Sequence, residues 1–400
     1  MRSRAYLTLS ILFLGYVTEN LLRSAASALS PILMEEFGLS YSEMGLILSA
    51  FFILYTFMQL VSGVLSETIG PRRAIIGFTL IAILGVSLIY LSRGFYSFFI
   101  AQMLLGFGFS IFYINSVKLL SSWFRDGATP IGILSAASGI GSSTAYIGFP
   151  IFISLLGSWR LLYLISLIIL ALSEVLYLLL LREGPYRVGG DSEGRLSTLL
   201  LRALNRRELY PIYVGYALMN FGWVFLSWLP KYLMENGGLT YLEAGFVSSI
   251  YTIAGIPGCI LIPLISNRMR SRRQPLIGCS IIQLLLLIAI MEASLVSPSS
   301  LYALLAFLLG LSSSSWVLPF SMITEMMGRG SGVALGLLNF LGFLLFTIAS
   351  PLYGYLIDLT GGYHASNLLV LSTLLLSILS FLLSTETYRS EGDEADQGAI

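Results

Sequence analysis

Glu19 and Arg23 stand four residues apart inside the apolar run that opens this chain. On a helix that spacing puts both on one face, within reach of a direct ion pair. Asn20, Ser24 and Ser27 extend the face into a polar stripe, while Phe13, Val17, Leu21 and Ala28 make the opposite stripe apolar. A charged side chain in lipid costs roughly 2.5–3.5 kcal/mol on insertion scales, so each one needs a partner or a purpose. The pair either fixes helix packing or presents a cation to an anion. In the second case Glu19 competes with the anion for Arg23 and is expected to take up a proton when it loses. Two further charges sit in apolar blocks. Lys118 lies five residues before Trp123, and Glu174 lies about two turns from the end of its block. Both positions suit snorkelling to the membrane surface, and Glu174 is read as a packing or snorkelling residue.

The elements that must position these groups follow from composition. The chain is 56% hydrophobic and 11% charged over 400 residues, so its solvent is lipid. Its apolar blocks predict helical spans at 5–29, 43–65, 74–92, 96–120, 130–156, 161–181, 210–233, 242–265, 275–294, 300–323, 332–356 and 366–385. With twelve spans, 18 Lys and Arg fall on one side and three, Arg93, Arg160 and Lys231, on the other. The richer side is expected to be cytoplasmic, which puts both termini inside a cell membrane. Arg2, Arg4 and the following apolar stretch imitate a secretory signal, but cleavage would delete half of an internal repeat, so the segment reads as the first span. The division expected is a six-helix bundle over 1–182, a cytosolic linker at 183–209, a second bundle over 210–385 and a disordered tail at 386–400.

The repeat is gapless. Residues 15–73 return 200 positions later with 18 identities in 59 positions, among them Gly15, Tyr16, Asn20, Gly38, Leu39, Tyr41, Glu43, Gly45, Arg72 and Arg73. A period of half the chain in an apolar protein points to two homologous membrane halves that enclose something between them. The mirror also nominates Asn220 and Trp223, which stand where Asn20 and Arg23 stand in the first half. Tyr55, Gln59, Tyr113, Asn115, Tyr251, Trp316 and Asn339 are further polar or aromatic candidates for a cavity lining.

Between the second and third spans runs Gly63-Val64-Leu65-Ser66-Glu67-Thr68-Ile69-Gly70-Pro71-Arg72-Arg73. This resembles the G-x-L-a-D-r-x-G-r-R signature of the major facilitator superfamily, with Glu67 in the acidic position. Gly63, Leu65, Gly70, Arg72 and Arg73 fill the other positions, and a degenerate copy spans 266–273. The resemblance implies two pseudo-symmetric six-helix bundles, an all-α membrane fold with alternating access. It also implies that the motif's acid and arginines make bonds that break and re-form as the halves rock. Gly15-Tyr16, Arg23, Pro31, Gly38-Leu39-Ser40, Gly45 and Ser49, with Trp228-x-Pro230-x-Tyr232-Leu233, are similar to the organophosphate:phosphate antiporter and anion:cation symporter branches. In those branches the first-helix arginine meets an anionic substrate, and Arg23 matches it. The seventh-helix arginine of the organophosphate group is missing, since Gly222 and Trp223 stand there. The fourth-helix arginine of proton antiporters is missing as well, where Gln102 stands.

The function expected is secondary transport of a small organic anion, a carboxylate or sugar acid, with Arg23 as anchor and Glu19 as the coupling group. A drug exporter and a non-transporting sensor are the alternatives. The intramembrane positive charge argues against the first and the intact loop motif against the second. Protons or sodium are the expected coupling ions and lipid the surroundings, with no nucleic acid, no cofactor, no metal site and a single chain as the unit. Neither a nucleotide-binding glycine motif nor a nucleophile–base pair points to an enzyme.

Overall fold

The computed structural model describes residues 2–124, 128–186, 201, 203–293, 297–327 and 331–388. Among these residues are twelve helices long and apolar enough to cross a membrane. In order they are Ser3–Ala28, Tyr41–Ser62, Pro71–Leu91, Phe95–Trp123, Thr129–Leu156, Trp159–Leu180, Arg207–Glu235, Tyr241–Met269, Arg273–Glu292, Ser299–Met327, Ser331–Thr360 and His364–Leu382. Each overlaps an expected span to within a few residues. Most of the expected linker (187–200 and 202) and the tail from 389 onward lie outside the described residues, as does the side chain of Glu67. Residues 386–388, expected to begin a disordered tail, are held instead. The Glu386 carboxylate accepts a 2.8 Å bond from the Arg272 backbone N–H and another from the Ser271 hydroxyl.

The repeated residues explain how each half turns from its first helix into its second. Gly38 and Gly238 end a helix in the left-handed region, at φ 63° and 64°, where glycine alone avoids a Cβ penalty. Ser40 and Thr240 then start the next helix as N-caps. Their hydroxyls accept from the N–H of Glu43 and Glu243 at 3.1 and 3.3 Å, and each glutamate bonds back to the cap N–H, at 2.9 and 3.0 Å. Two residues on, Gly45 and Gly245 let helices of opposite halves touch. A Cβ on Gly45 would lie 2.5 Å from the Ser350 carbonyl, and one on Gly245 would lie 2.3 Å from that of Tyr146.

The packing respects the repeat. The second span lies along the eleventh, and its counterpart, the eighth, lies along the fifth; the first packs on the fifth and the seventh on the eleventh. At the end that carries the loops before the second and eighth spans, the halves are closed. Asp358 accepts the backbone N–H groups of Tyr41 and Ser42 at 3.0 and 2.8 Å, together with the Ser42 hydroxyl. Glu235 accepts the hydroxyls of Tyr41 at 2.8 Å and Tyr363 at 2.5 Å, and pairs with Lys231 at 2.8 Å. Tyr241 reaches the Ala28 carbonyl at 3.0 Å.

Toward the other end the halves part. Gly139 still faces Ile256 of the eighth span, but Gly132, two turns along the same face, has no neighbouring atom within 4 Å of a Cβ position. On the eleventh span Gly336 is 3.5 Å from the Gln59 carbonyl, while Gly332, one turn on, again has nothing within 4 Å. Among the described residues, the interface is a wedge, sealed at one end and parted at the other.

Candidate functional site

The order of residues around the first helix decides what each can reach. With 3.6 residues per turn, the sequence around the axis runs Gly15, Glu19, Arg23, Tyr16, Asn20, Ser24. The Ser24 side of this arc is used for packing. Asn20 is fully buried and donates from Nδ2 to the Tyr16 carbonyl at 2.8 Å, Ser24 donates to Ser142 Oγ of the fifth span at 2.9 Å, and Tyr146 of that span donates to Ser27 Oγ at 3.0 Å. Asn220 repeats the arrangement in the second half, donating to the Tyr216 carbonyl at 2.9 Å and packing on Gly342.

The expected ion pair between Glu19 and Arg23 does not form. The Arg23 guanidinium donates to Asn20 Oδ1 instead. Glu19 is wholly buried, and neither of its carboxylate oxygens has a hydrogen-bond partner among the described residues. The physical reason is the arc itself: Arg23 sits between Glu19 and Asn20, and the amide oxygen captures the fork from the packed side. Arg23 therefore keeps donors in hand, since a guanidinium carries five N–H groups, and it makes no ion pair among the described residues.

Tyrosines gather at this point. Tyr16 and Tyr55 are electrostatic neighbours of both Glu19 and Arg23, and Tyr146 neighbours Arg23. The Tyr16 and Tyr113 rings lie 5.1 Å apart, and the Tyr113 hydroxyl bonds Ser135 Oγ at 2.9 Å. Gln59 donates at 3.3 Å to the Ser110 carbonyl, exposed where the fourth span breaks between Phe109 and Phe112. The structure thus brings together Arg23, Asn20, Glu19, Tyr55, Gln59 and Tyr113.

The remaining candidates are placed apart. Asn115 is fully buried inside the first half, bonded to the Ile111 carbonyl at 2.8 Å, and does not face the wedge. Trp223 sits at a break in the seventh span and donates to Gln283 at 3.3 Å; Gln283 in turn donates to the Ser312 carbonyl at 3.0 Å and to Ser315 Oγ at 3.1 Å. Tyr251 neighbours Tyr146 across the interface of the fifth and eighth spans. Trp316 lies on a 3₁₀ turn against Phe320, with ring centroids 5.5 Å apart. Asn339 is half-buried on the eleventh span, next to Phe340, whose ring meets Phe57 at 5.9 Å. Sequence reasoning passed over Tyr146, Gln283 and the site role of Tyr16, although Tyr16 was visible as a repeat identity. The two halves also differ in charge: the first buries Glu19 and Glu174 and half-buries Arg23. Among the described residues, the buried polar side chains of the second are neutral.

Of the two roles expected for Glu174, packing and snorkelling, the structure excludes the second. A snorkelling carboxylate would sit exposed on the lipid-facing side, yet this one is 3% exposed, faces the bundle interior, and has no partner for either oxygen.

In the loop motif, Gly70 adopts φ 81° and starts the third span. Arg72 donates to the carbonyls of Leu181 at 2.6 Å and Leu178 at 2.8 Å, capping the sixth span of its own half. Gly63 and Leu65 lie on the second helix, and Arg73 is exposed. The degenerate copy is tied together through Arg272. Arg272 pairs with Glu325 at 2.8 Å and donates to Asn267 at 2.6 Å and Ser266 at 3.0 Å.

Known proteins resemble this chain along nearly its whole length. The profile described as Major Facilitator Superfamily matches residues 12–345. A probable sulfoacetate transporter of Cupriavidus necator is 25% identical over 390 residues, covering 90% of this chain and 88% of that one. The hexuronate transporter of Bacillus subtilis is 25% identical over 382 residues, covering 90% and 89%. The D-galactonate transporter of Escherichia coli is 27% identical over 426 aligned positions, covering 95% of both chains. With twelve apolar helices, a gapless internal repeat and a profile match over most of its length, the chain is a multi-pass membrane protein that belongs to the major facilitator superfamily.

Proposed function

We propose that this protein is a secondary active transporter that moves a small organic anion, a carboxylate or sugar acid, by alternating access in symport with protons. The observation that carries the reading is Arg23: a half-buried guanidinium with no carboxylate partner among the described residues, held by Asn20, with Tyr16, Tyr55 and Tyr146 as electrostatic neighbours. An incoming carboxylate supplies the charge this fork lacks and takes a bidentate, charge-assisted bond. The rest of the solute then faces the second half, where Trp223 replaces the repeated arginine and Gln283 and the serines offer neutral hydrogen bonds. The relatives' names, sulfoacetate, hexuronate and D-galactonate, all denote small anions and support the class.

Glu19 is the proton carrier in this reading. A carboxylate buried with no hydrogen bond has only the more distant Arg23 charge to offset its lost hydration, and holding a proton removes that cost. The wedge is then an inward-facing state, sealed outside by Asp358 and Glu235. The division into halves over 1–182 and 210–385, with cytoplasmic termini, belongs to the same proposal and is supported by the repeat and the 18-to-3 charge split. Rocking about the second–eleventh and fifth–eighth contacts exposes Arg23 to each side in turn.

The test is uptake of labelled D-galactonate, a hexuronate and sulfoacetate into proteoliposomes, with and without an imposed pH gradient. Gradient-driven accumulation of at least one is expected, with Arg23→Ala at background and Arg23→Lys weakened. Wild-type uptake by Arg23→Ala overturns the assignment of the anchor.

A further inference from the structure

We propose that Glu174 is a second proton-binding carboxylate, linked to Glu19 through the hydroxyl of Tyr177. The inference rests on the reading of Glu19 as the proton carrier and adds the place to which its proton goes.

Three buried oxygen-bearing side chains line up inside the first half. Glu19 and Tyr177 are 0% exposed and Glu174 is 3% exposed, and neither the carboxylate oxygens nor the phenol oxygen has a hydrogen-bond partner. A buried carboxylate without a partner is costly, and two of them beside one phenol ask for a shared explanation. Tyr177 lies against Gly15 so closely that a Cβ there would fall 1.9 Å from its hydroxyl oxygen. Gly15 is one turn before Glu19 on the same helix face, and helical side chains lean toward the N-terminus. The Glu19 carboxylate therefore leans over the place where the Tyr177 hydroxyl sits. Glu174 is three residues before Tyr177, on the same face of the sixth span. Tyr177 is an electrostatic neighbour of both carboxylates. Gly15 has a role in this: it makes the room that lets the phenol approach.

The surroundings of Glu174 leave the proton as its natural ligand. The sixth span packs on the third, first and fifth. From the first span come Glu19 and, beyond it, Tyr16 and Arg23. The third offers Arg72, committed to the Leu178 and Leu181 carbonyls, exposed Arg73, and Tyr90 at its far end. The fifth offers Tyr146, and the sixth itself carries Tyr163. The fourth span touches Tyr177 through Phe112, with centroids 6.0 Å apart, and carries Lys118 nearer its open end. No cation pairs with Glu174 among the described residues.

The step balances without any other reactant. Once the three groups come within hydrogen-bond reach of one another, the Glu19 carboxyl gives its proton to the Tyr177 oxygen as the phenol proton passes to the Glu174 carboxylate. Glu19 ends ionised, Tyr177 unchanged and Glu174 neutral.

Two assays on the whole protein in proteoliposomes separate this relay from a packing role: accumulation driven by a pH gradient, and exchange of labelled for unlabelled substrate, which needs no net proton movement. Tyr177→Phe keeps the ring that packs on Gly15 and Phe112, and serves as the control should Glu174→Gln fold poorly. Both variants should lower accumulation by about tenfold or more, the size of effect a positioned proton-transfer group supplies, while exchange stays within about twofold of wild type. Accumulation at the wild-type level in Tyr177→Phe, or an equal fall of accumulation and exchange in both variants, overturns the relay. Failure of the underlying reading looks different, because wild-type uptake itself would then ignore the gradient. In that event infrared spectra of the substrate-free protein still test the site. Loss of a neutral-carboxyl band in Glu174→Gln is expected, and an unchanged spectrum refutes it.

Discussion

The hydroxyl of Ser27 donates a 2.6 Å hydrogen bond to the backbone carbonyl of Ser227, its own counterpart 200 positions later in the repeat. A residue can touch its repeat partner only where the two copies meet, so this bond marks the pseudo-two-fold axis relating the halves. The axis passes through the closed end, one turn beyond Arg23. Arg23 and Trp223 therefore stand at equivalent depths in their two halves, and the difference between them is a difference in what each half offers a solute.

Closure at that end depends on Asp358, which holds the first turn of the second span across the interface. Asp358→Ala removes all three accepted bonds. Bonds to a charged group contribute roughly 1.5–3 kcal/mol each, and even one such loss should shift the population toward opening at this end. A cysteine at Ser350, fully buried beneath Gly45, reports the change in a background lacking Cys259 and Cys279. Its labelling should accelerate in the Asp358→Ala protein, and an unchanged rate would show that the seal lies elsewhere.

Charge in the second half sets the valence of the solute. Trp223→Arg places a second cation at the mirrored position of Arg23. Competition assays should then show preference moving toward dicarboxylates or phosphate esters, by about tenfold for each 1.4 kcal/mol gained. Equal loss for mono- and dianions would mean that Trp223 serves packing alone.

Outside the membrane, Glu386 ties the end of the twelfth span to the start of the ninth. Burial raises its carboxyl. The N–H of Arg272, the Ser271 hydroxyl and the N–H groups of Tyr388 and Thr387 outweigh that effect and hold it below the ordinary 4.5. Its folded value lies below its unfolded one, so the contact stabilises the protein above that ordinary value. The contribution is lost as pH falls through the lower folded value. Glu386→Gln should lower Tm in detergent at neutral pH, and the difference from wild type should shrink as the pH is taken below 4.5. A difference that stays constant across this range would rule the carboxylate out as its source.

The sequence by itself determined the twelve spans, because lipid admits only long apolar helices here and each one is written as a local run of residues. It also determined the turn into the second helix of each half. Gly38, Ser40 and Glu43 act through neighbours three to five positions away, and their copies at Gly238, Thr240 and Glu243 show the same rule twice. Arg23 stood out for a similar reason, since the penalty of a charge in lipid is local. What only the tertiary structure decided is who answers whom. The i,i+4 spacing of Glu19 and Arg23 allowed an ion pair, but packing against Gly141 of the fifth span put Asn20 in position to capture the guanidinium. Nothing near Glu174 in the chain distinguishes a snorkelling residue from a buried one; the first and third spans, folded against the sixth, make that choice. The seal made by Asp358 joins residues more than 300 positions apart, and a one-dimensional pattern holds no record of that distance closing.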